Sequence, residues 1–301
     1  MTANVVARSS WRLKKRANMH YREYAAPAHL AKHVQCLWRL RDATPPRTPQ
    51  TVYPDGRCEL IIHLARPMQI QAAAGAWQPQ GRGLFAAQAR SAIRLRAVGA
   101  LDCVGVRLRP EASVALFNTI QHTTTALAQW ADQVIDLSAL DAAFVEALVL
   151  SLGDSTDAPA PAFIALLTER LAHQEVDVRV AAAVAALDGA CGNLPIRALA
   201  KTVAMSLRSL QTRFLAAVGL TVKEYALVQR LQATIRRLDA GMGALAQTAV
   251  EAGFSDQAHA TRAVRDFAGL TPARLRNALL AQRDGDQTLA MAAAFVRGKS
   301  S

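Results

Sequence analysis

Hydrophobic residues are spaced differently in the two halves of the chain. In the C-terminal half they recur every three or four positions, and the longest such run predicts a helix over residues 222–239. In the N-terminal half they form short runs bounded by turn residues, which predict strands. The clearest run, CELIIHL at residues 58–64, directly follows a Pro54-Asp55-Gly56 turn. Further strands are predicted at residues 83–87, 92–98 and 103–108, and helices at 112–118, 138–150 and 162–172.

A tract near the C-terminal end has the pattern of a turn, a basic helix, a second turn and the start of another helix. It covers residues 253–276, GFSDQAHATRAVRDFAGLTPARLR. Gly253 and Gly269 supply turns that tolerate positive φ at the two ends of the basic helix. Ser255 or Asp256 supplies the side-chain oxygen that caps it, and a Thr-Pro pair opens the next helix. A helix held between two turns suits insertion into a DNA major groove.

A related unit lies about fifty residues upstream, at residues 199–221, LAKTVAMSLRSLQTRFLAAVGLT. The first matched residues align at an offset of 49, as from Ala200 to Ala249, and the later ones at an offset of 50, as from Gly219 to Gly269. One inserted residue therefore separates the two registers. A repeated helix-turn-helix pattern is much more specific than a single copy, since a lone copy is a weak pattern.

A single long helix is predicted to connect the two units. Thr221 and Glu224 form a T-x-x-E capping box at its start, and Gly241 ends its apolar run. At ~1.5 Å per residue, a helix over residues 222–239 is about 27 Å long. Consecutive major grooves on one face of DNA are about 34 Å apart. The spacing therefore predicts that one chain reads two consecutive grooves.

These residues resemble the DNA-binding domain of the AraC/XylS family of bacterial transcription regulators. The resemblance covers about residues 178–280, and its most specific parts are the segments G-F-S-D-Q-A-H and G-L-T-P. It implies seven helices, with two helix-turn-helix units and a long linking helix. Ala204 stands where the family usually has glycine, so that turn is either right-handed or slightly strained. Thr212 replaces an arginine that is common in the first reading helix, and Ala260 replaces a larger apolar residue, which predicts looser packing.

The order of short tracts in the N-terminal half resembles the sensory domains of one subgroup of AraC-like regulators. These tracts are Y-R-E-Y at 21–24, Trp38, Pro54-Asp55-Gly56 and V-G-V-R-L-R-P at 104–110. The predicted fold class is α+β: a small β-rich N-terminal domain, cupin-like or a partly open barrel, with helices, and an all-α C-terminal domain of seven helices. The predicted boundaries are a basic, disordered arm at 1–18, a sensory or dimerisation domain at 19–173, the DNA-binding domain at 174–283 and a tail at 284–301.

Charge is spread unevenly along the chain, whose formal net charge is +12. Residues 179–301 carry sixteen basic and eight acidic side chains, whereas residues 111–178 carry one basic and ten acidic side chains. A basic C-terminal domain beside an acidic middle favours DNA contact through one end of the molecule. Arginine-rich usage in an Ala- and Arg-rich proteome is the alternative explanation for part of this charge.

The cysteines and the apolar runs argue against several other classes of protein. Cys36, Cys58, Cys103 and Cys191 are scattered and form no C-x-x-C pair, so neither a disulfide framework nor a zinc ribbon is expected. No apolar run reaches the length of a membrane span, and no signal-peptide pattern opens the chain. The expected location is therefore the bacterial cytoplasm.

One segment of the N-terminal half has the residue types of a metal site. His29, His33 and Cys36 would share one face of a helix at i, i+4 and i+7. The alternative is an ordinary amphipathic helix, because apolar residues recur at helical spacing in the same segment. No Ser/His/Asp order, phosphate loop or H-E-x-x-H motif is present, so no catalytic residue, metal or cofactor is expected.

Helical spacing gives each reading helix a buried and an exposed face. Leu210 and Phe214 face the core in the first helix, as do Ala260 and Val264 in the second. The residues predicted to contact bases or the groove are Arg208, Gln211, Thr212, Gln257, Ala258, Thr261 and Arg262. Those predicted to contact phosphates, through side chains or helix N-termini, are Ser206, Lys223, Ser255, Arg265 and Thr271. Phosphate contact alone is the alternative for Arg208 and Arg262, and His259 either touches DNA or supports its helix.

The sequence as a whole predicts a non-enzymatic, sequence-specific transcription regulator that binds double-stranded promoter DNA. RNA polymerase, a small-molecule effector at the N-terminal domain and a second copy of the chain are further candidate partners. Two alternatives remain open. One is a DNA-repair protein with an AraC-like domain that transfers alkyl groups to a cysteine, which would need a metal-activated thiolate cluster. The other is a ligand-free regulator whose N-terminal half only dimerises.

Overall fold

The computed structural model describes residues 19–117, 127–153, 158–239, 253–254 and 256–283. Its N-terminal part is rich in β-strands and its C-terminal part is helical, as the hydrophobic spacing predicts. The strands are β1 Met19–Ala25, β2 Val34–Asp42, β3 Gln50–Val52, β4 Cys58–His63, β5 Gln69–Gln71, β6 Trp77–Pro79, β7 Gly83–Ala86, β8 Ile93–Arg96, β9 Leu101–Leu108 and β10 Val134–Asp136. Three 3-10 helices, at Ala28–Leu30, Pro110–Phe117 and Leu127–Trp130, interrupt them.

The strands form two antiparallel sheets. The larger has the order β1-β2-β9-β4-β7-β10, and the smaller has the order β3-β8-β5-β6. One face of the larger sheet packs against the smaller sheet, because Trp38, Leu40 and Cys103 share a buried cluster with Leu95 of β8. The opposite face carries Leu60, Val106 and similar residues and is covered by helices. This two-sheet domain is the β-rich domain that the sequence predicts.

Two of the described helices of the N-terminal domain cover the larger sheet. These are α1 Ser138–Leu152 and α2 Pro161–Leu171. Val145 and Leu148 of α1 and Phe163 and Leu167 of α2 are buried in the same cluster as the sheet residues. Apolar positions three and four apart thus form the stripe that a helix buries against a sheet.

Six described helices follow in the C-terminal domain. They are α3 Val178–Gly189, α4 Ile196–Thr202, α5 Leu207–Val218, α6 Val222–Asp239, α7 Gln257–Ala268 and α8 Pro272–Arg283. The linking helix α6 has the bounds that its apolar spacing predicts. The resemblance implies seven helices, but residues 240–252, which include Gly241, lie outside the described residues. Leu210, Phe214, Leu231, Val264 and Leu275 are among the residues that form the buried core of this domain.

The N-terminal domain also contributes to that core. Tyr53, in the loop between β3 and β4, is 3% exposed and belongs to the same buried cluster as Phe214 and Tyr225. The C-terminal half of the first unit packs in turn against the N-terminal domain, since α5 contacts the 3-10 helices Pro110–Phe117 and Leu127–Trp130. The two domains are therefore joined by buried contacts as well as by the chain.

The predicted helix carrying His29, His33 and Cys36 is wrong. Only Ala28–Leu30 is helical there, as a single 3-10 turn, and Cys36 lies in β2. Pairing with β1 and β9 overrides the local helical spacing, because an extended strand between two partners satisfies its backbone groups on both sides. His29 instead contacts the Thr168 hydroxyl at 2.8 Å, and His33 lies 3.0 Å from the Gln174 carbonyl oxygen.

Candidate nucleic-acid interface

The first helix-turn-helix unit consists of α4, a short turn and α5. Ala204 in the turn has a φ of 50°, in the left-handed region that favours glycine, so the strained alternative predicted for this alanine is the one observed. Ser206 then caps α5, because its hydroxyl oxygen accepts a hydrogen bond from the Ser209 amide at 3.1 Å. Gly219 ends the helix with a φ of 83°. These devices set both ends of the first reading helix.

The second unit repeats the same devices around α7. Gly253, with a φ of 84°, stands where Ala204 stands in the first unit. Asp256 caps α7 by accepting a hydrogen bond from the His259 amide at 2.7 Å, and Gly269 ends the helix with a φ of 69°. Of the two predicted caps, Asp256 is thus the one that the structure shows, and Ser255 lies outside the described residues.

Each reading helix presents polar side chains to solvent and apolar ones to the core. Leu210, Phe214, Ala260 and Val264 are buried, as their spacing predicts. The exposed residues of the two helices include Arg208, Gln211, Thr212, Gln257, Ala258 and Arg262, and Thr261 is half-buried. Six of the seven side chains predicted to enter the groove are therefore exposed to solvent.

The residues predicted to contact phosphate lie at helix ends or on exposed faces. Lys223 is exposed in the first turn of α6, and Arg265 is exposed in α7. Thr271 caps α8 through a 3.4 Å hydrogen bond from the Arg274 amide, and Ser206 caps α5 in the same manner. A hydroxyl that accepts a bond as a cap keeps its own hydrogen to donate, so both caps can still bind an anion.

The start of the linking helix has the predicted capping box. The Glu224 carboxylate accepts hydrogen bonds from the Thr221 amide and hydroxyl, each at 2.8 Å, and the Glu224 amide donates to the Thr221 hydroxyl at 3.2 Å. Arg90 of the N-terminal domain forms an ion pair with the same carboxylate at 3.2 Å. Burial raises the pKa of Glu224, but the bonds from Thr221 and Arg90 outweigh it and leave the pKa below its usual value.

His259 packs against the second unit's own core. Its ring meets the ring of Phe254 edge to face, with 5.4 Å between centroids, and its side chain is half-buried. Phe254 forms a small buried cluster with Ala260, apart from the main core of the domain. Of its two predicted roles, the structure gives direct support to packing.

The cysteines that the structure describes are not part of a metal-binding cluster. No group of three or more His, Cys, Asp or Glu side chains that could hold a metal ion occurs among those residues. Burial raises the pKa of Cys58 and of Cys103 to about 12, and that of Cys36 to about 11. Burial thus favours the thiol form of these three side chains over the thiolate, which is the form that acts as a nucleophile.

Two family models match parts of the chain. Residues 199–278 match a family model described as a helix-turn-helix domain, and residues 22–136 match a domain of unknown function, DUF6597. No curated protein matches the chain. Among the described helices, none is long and apolar enough to cross a membrane.

Solved structures of similar architecture include two of ToxT from Vibrio cholerae. ToxT of strain O395 is 9% identical, with 88% of this chain and 99% of that chain covered and a TM-score of 0.43. ToxT bound to (E)-4-(8-methylnaphthalen-1-yl)but-3-enoic acid is 8% identical, with coverages of 87% and 99% and a TM-score of 0.42. The AraC-like transcriptional activator CuxR is 12% identical, with coverages of 92% and 99% and a TM-score of 0.23.

The two capped reading helices and the family match over residues 199–278 define the class of this protein: it is a DNA-binding transcription regulator. Its C-terminal end carries an AraC-type helix-turn-helix domain, as the residues 253–276 predict by resemblance. Its N-terminal end carries a DUF6597 domain built from two β-sheets.

Proposed function

We propose that one chain reads two consecutive major grooves of promoter DNA, with α5 in one groove and α7 in the next. The linking helix α6, with 18 residues, is about 27 Å long and acts as the spacer between them. The observation that supports this proposal is that the two reading helices have the same local features at their ends and on their surfaces. Each begins at a side-chain cap after a positive-φ turn, ends at a left-handed glycine and exposes a polar face.

The exposed side chains have the chemistry of base recognition. Arg208 and Arg262 match the paired acceptors of guanine, and Gln211 and Gln257 match the donor and acceptor of adenine. Ala258 has the size to contact a thymine methyl group, while Thr212 and Thr261 complete the two groove-facing surfaces. Ser206, Lys223, Ser255, Arg265 and Thr271 bind phosphates and fix the register of the helices on the duplex.

The N-terminal domain is proposed to bind a small effector between its two sheets. A buried polar group lies there: Arg107 donates to Glu59 at 2.8 Å, and the Trp38 indole donates to the same carboxylate oxygen at 3.3 Å. The second oxygen of Glu59 is buried and has no hydrogen-bond partner among the described residues. Because buried polar atoms are normally paired, an effector that offers a hydrogen-bond donor would complete this group.

The remaining partners follow from the role of a promoter-binding regulator. Such a protein meets the chromosome and RNA polymerase in the bacterial cytoplasm, and a second copy of the chain would double the length of DNA that is read. The ligand-free alternative, in which the N-terminal domain only dimerises, is distinguished by the experiments below. Alkyl transfer is disfavoured because it would need a metal-activated thiolate cluster, and no cluster of metal ligands occurs among the described residues.

The DNA-binding proposal is tested in two steps. The full-length chain is used to select the duplexes that it binds from a random pool, and its complexes with the selected duplexes are then footprinted. Two protected groove segments about 10 base pairs apart on one face are expected. A single protected segment of one groove would contradict the two-groove arrangement. The predicted DNA-binding domain, residues 174–283, should also fold and bind the selected DNA when expressed alone, and a folded fragment with no affinity above that of a neutral protein would refute its assignment.

The effector proposal is tested by thermal unfolding of the full chain with a set of small metabolites. A ligand that binds only the folded state raises the melting temperature by mass action. The true effector should both raise this temperature and change operator affinity, and Glu59→Gln should weaken both effects. If no compound does both, and the chain dimerises through residues 19–173, the dimerisation-only alternative is favoured.

A further inference from the structure

The loop Tyr53–Arg57, called here the docking turn, reaches from the N-terminal domain into the DNA-binding domain. The Gln232 side chain of α6 donates a 2.6 Å hydrogen bond to the Pro54 carbonyl, and the Gln229 side chain donates one of 3.4 Å to the Asp55 carbonyl. Both glutamines are buried in the linking helix. The docking turn is therefore held by the middle of the helix that connects the two reading units.

Arg57 forms the centre of this contact. Its guanidinium donates to the Asp188 carboxylate at 2.6 Å and to the Tyr225 hydroxyl at 2.7 Å, and that hydroxyl donates to Asp188 at 2.8 Å. The three groups make a closed triangle between α3, α6 and the docking turn. Because the Arg57 side chain is only 7% exposed, water competes little for these hydrogen bonds.

Gly56 allows the close approach of the docking turn to α6. Its φ is +78°, and a Cβ atom there would lie 2.5 Å from the Gln229 side-chain nitrogen and 3.0 Å from the Tyr225 ring. On its other side the turn is fixed to the N-terminal domain, because the Gln88 side chain donates to the Gly56 carbonyl at 3.2 Å. A side chain at this position would strain the positive-φ backbone and displace the Gln229 side chain from the docking turn.

The contact continues from the docking turn to the first reading helix. The ring of Tyr225 packs edge to face on Phe214, with 5.6 Å between centroids. Phe214 lies on the buried face of α5, whose outward face carries Arg208 and Gln211. Arg57 is thus connected to the groove-facing side chains through one hydroxyl and two packed rings.

We propose that Arg57 is a positioning residue for DNA binding: through Asp188 and Tyr225, the docked turn holds α6 and α5 in the arrangement that presents both reading helices to DNA. In the docked form the polar faces of α5 and α7 are exposed, as DNA binding requires. A chain that populates the competent arrangement only part of the time binds with its affinity reduced by that fraction. This inference rests on the proposed reading of DNA by both helices.

The test measures the affinity of full-length variants for the selected operator, at a temperature where circular dichroism shows each to be folded. Arg57→Gln should weaken operator binding by about fivefold or more, in the range of typical coupling between sites. Asp188→Asn should weaken operator binding similarly. The fold-loss of operator affinity in the double variant should be smaller than the product of the two single fold-losses, because both substitutions remove the same contact. Gly56→Ala should act in the same direction without changing any charge.

The matched control is Arg39→Gln. Arg39 pairs with Asp102 inside the N-terminal domain, and these side chains are 6% and 24% exposed, against 7% and 22% for Arg57 and Asp188. Loss of either ion pair should lower the melting temperature, but Arg39→Gln should leave operator affinity within twofold of the wild type. This comparison separates a positioning role from a merely structural one.

The inference is overturned if folded Arg57→Gln binds the operator within twofold of the wild type. It is also overturned if that variant binds more tightly, since the docked turn would then be inhibitory. A purely additive double variant would show that Arg57 does not act through Asp188. Failure of the proposed function is distinguishable from all of these, because the wild-type chain itself would then select no DNA.

Discussion

The ring of Tyr225 in the linking helix meets the ring of Phe214 in the first reading helix at an interplanar angle of 69°. Edge-to-face aromatic pairs contribute about 0.5–1.5 kcal/mol beyond the area that they bury. The hydroxyl of the same tyrosine bonds to Asp188 and accepts from Arg57. One side chain therefore touches the core under a reading helix and the turn that belongs to the other domain.

Loss of the Phe214 ring should destabilise the protein strongly. Phe214 is fully buried, and Phe→Ala substitutions in cores cost about 3–5 kcal/mol through lost burial and the cavity that remains. Leu207→Ala in the same helix is the control, because Leu207 is 39% exposed and should cost at most about 0.5 kcal/mol. Urea unfolding monitored by circular dichroism measures both free energies, and equal values for the two variants would contradict the packing described here.

Arg262→Ala and Lys223→Ala should affect DNA binding in different ways. Arg262 is exposed on α7, and a bidentate contact to guanine contributes about 1–3 kcal/mol of discrimination, so its loss should relax the preference at one base position. Lys223, at the start of α6, should weaken binding to all sequences alike and lower the salt slope by about one unit. Binding to the operator and its single-base variants at several salt concentrations measures both effects. An equal loss of affinity for every variant with Arg262→Ala would identify this arginine as a phosphate contact.

Ala204→Gly should stabilise the protein. A left-handed alanine costs roughly 1–2 kcal/mol, and the entropy that glycine loses on folding offsets about 0.5–1 kcal/mol of the gain. The net expectation is a stabilisation of about 0.5–1 kcal/mol. Ala216→Gly, on the exposed face of α5, is the matched control, since glycine in a helix interior costs about 1 kcal/mol. Thermal unfolding should therefore move in opposite directions for the same chemical change, and a decrease with Ala204→Gly would show that this turn is not strained.

Acid should destabilise the N-terminal domain through His63. Burial lowers the pKa of His63 from 6.5 to about 4, although a hydrogen bond with Gln80 acts in the other direction. Between these values the unfolded chain binds more protons than the folded one, so the free energy of unfolding falls as pH falls from about 6.5 to about 4. Above pH 6.5 His63 is neutral in both the folded and the unfolded chain, so its titration no longer lowers the free energy of unfolding.

His63→Gln removes this titration and should flatten the dependence of the melting temperature on pH between 4 and 6.5. Glu59, whose pKa burial raises to about 7, titrates in both proteins, so the difference between them reports on His63. If the melting temperature depends on pH in the same way for the two proteins across this range, His63 is protonated equally in the folded and unfolded states.

Local signals were sufficient to predict the elements that carry the reading helices. The Thr221–Glu224 capping box, the Asp256 cap and the Gly269 end all depend on residues within four positions of each other, and each has the predicted form. The bounds of α6 follow from its apolar spacing for the same reason. Whether the exposed side chains contact bases stays a prediction, because that depends on a DNA partner.

Sequence reasoning was less successful where distant residues decide the structure. The helical spacing of His29, His33 and Cys36 was overruled at Cys36, which pairs with Arg107 of the distant strand β9. Pro54-Asp55-Gly56 was correctly predicted as a turn, but its partner α6 lies more than 160 residues away and leaves no local mark. One local signal of this contact was available, since the proline-glycine turn is flanked by a tyrosine and an arginine. Tyrosine buries a large surface, and arginine binds carboxylates.

The docking turn also has a consequence for how the chain folds during its synthesis. Tyr53 and Arg57 leave the ribosome well before α3, α5 and α6, and domains generally fold in the order in which they emerge. We therefore expect the N-terminal domain to be in place when the first reading unit appears, so that this unit folds onto an existing surface that already supplies part of its core. The second unit is made last and has α6 and α8 as its main packing partners in the described part of the chain. The N-terminal domain thus acts as an intramolecular template for one half of the DNA-binding domain, while the other half assembles on the product of that first step.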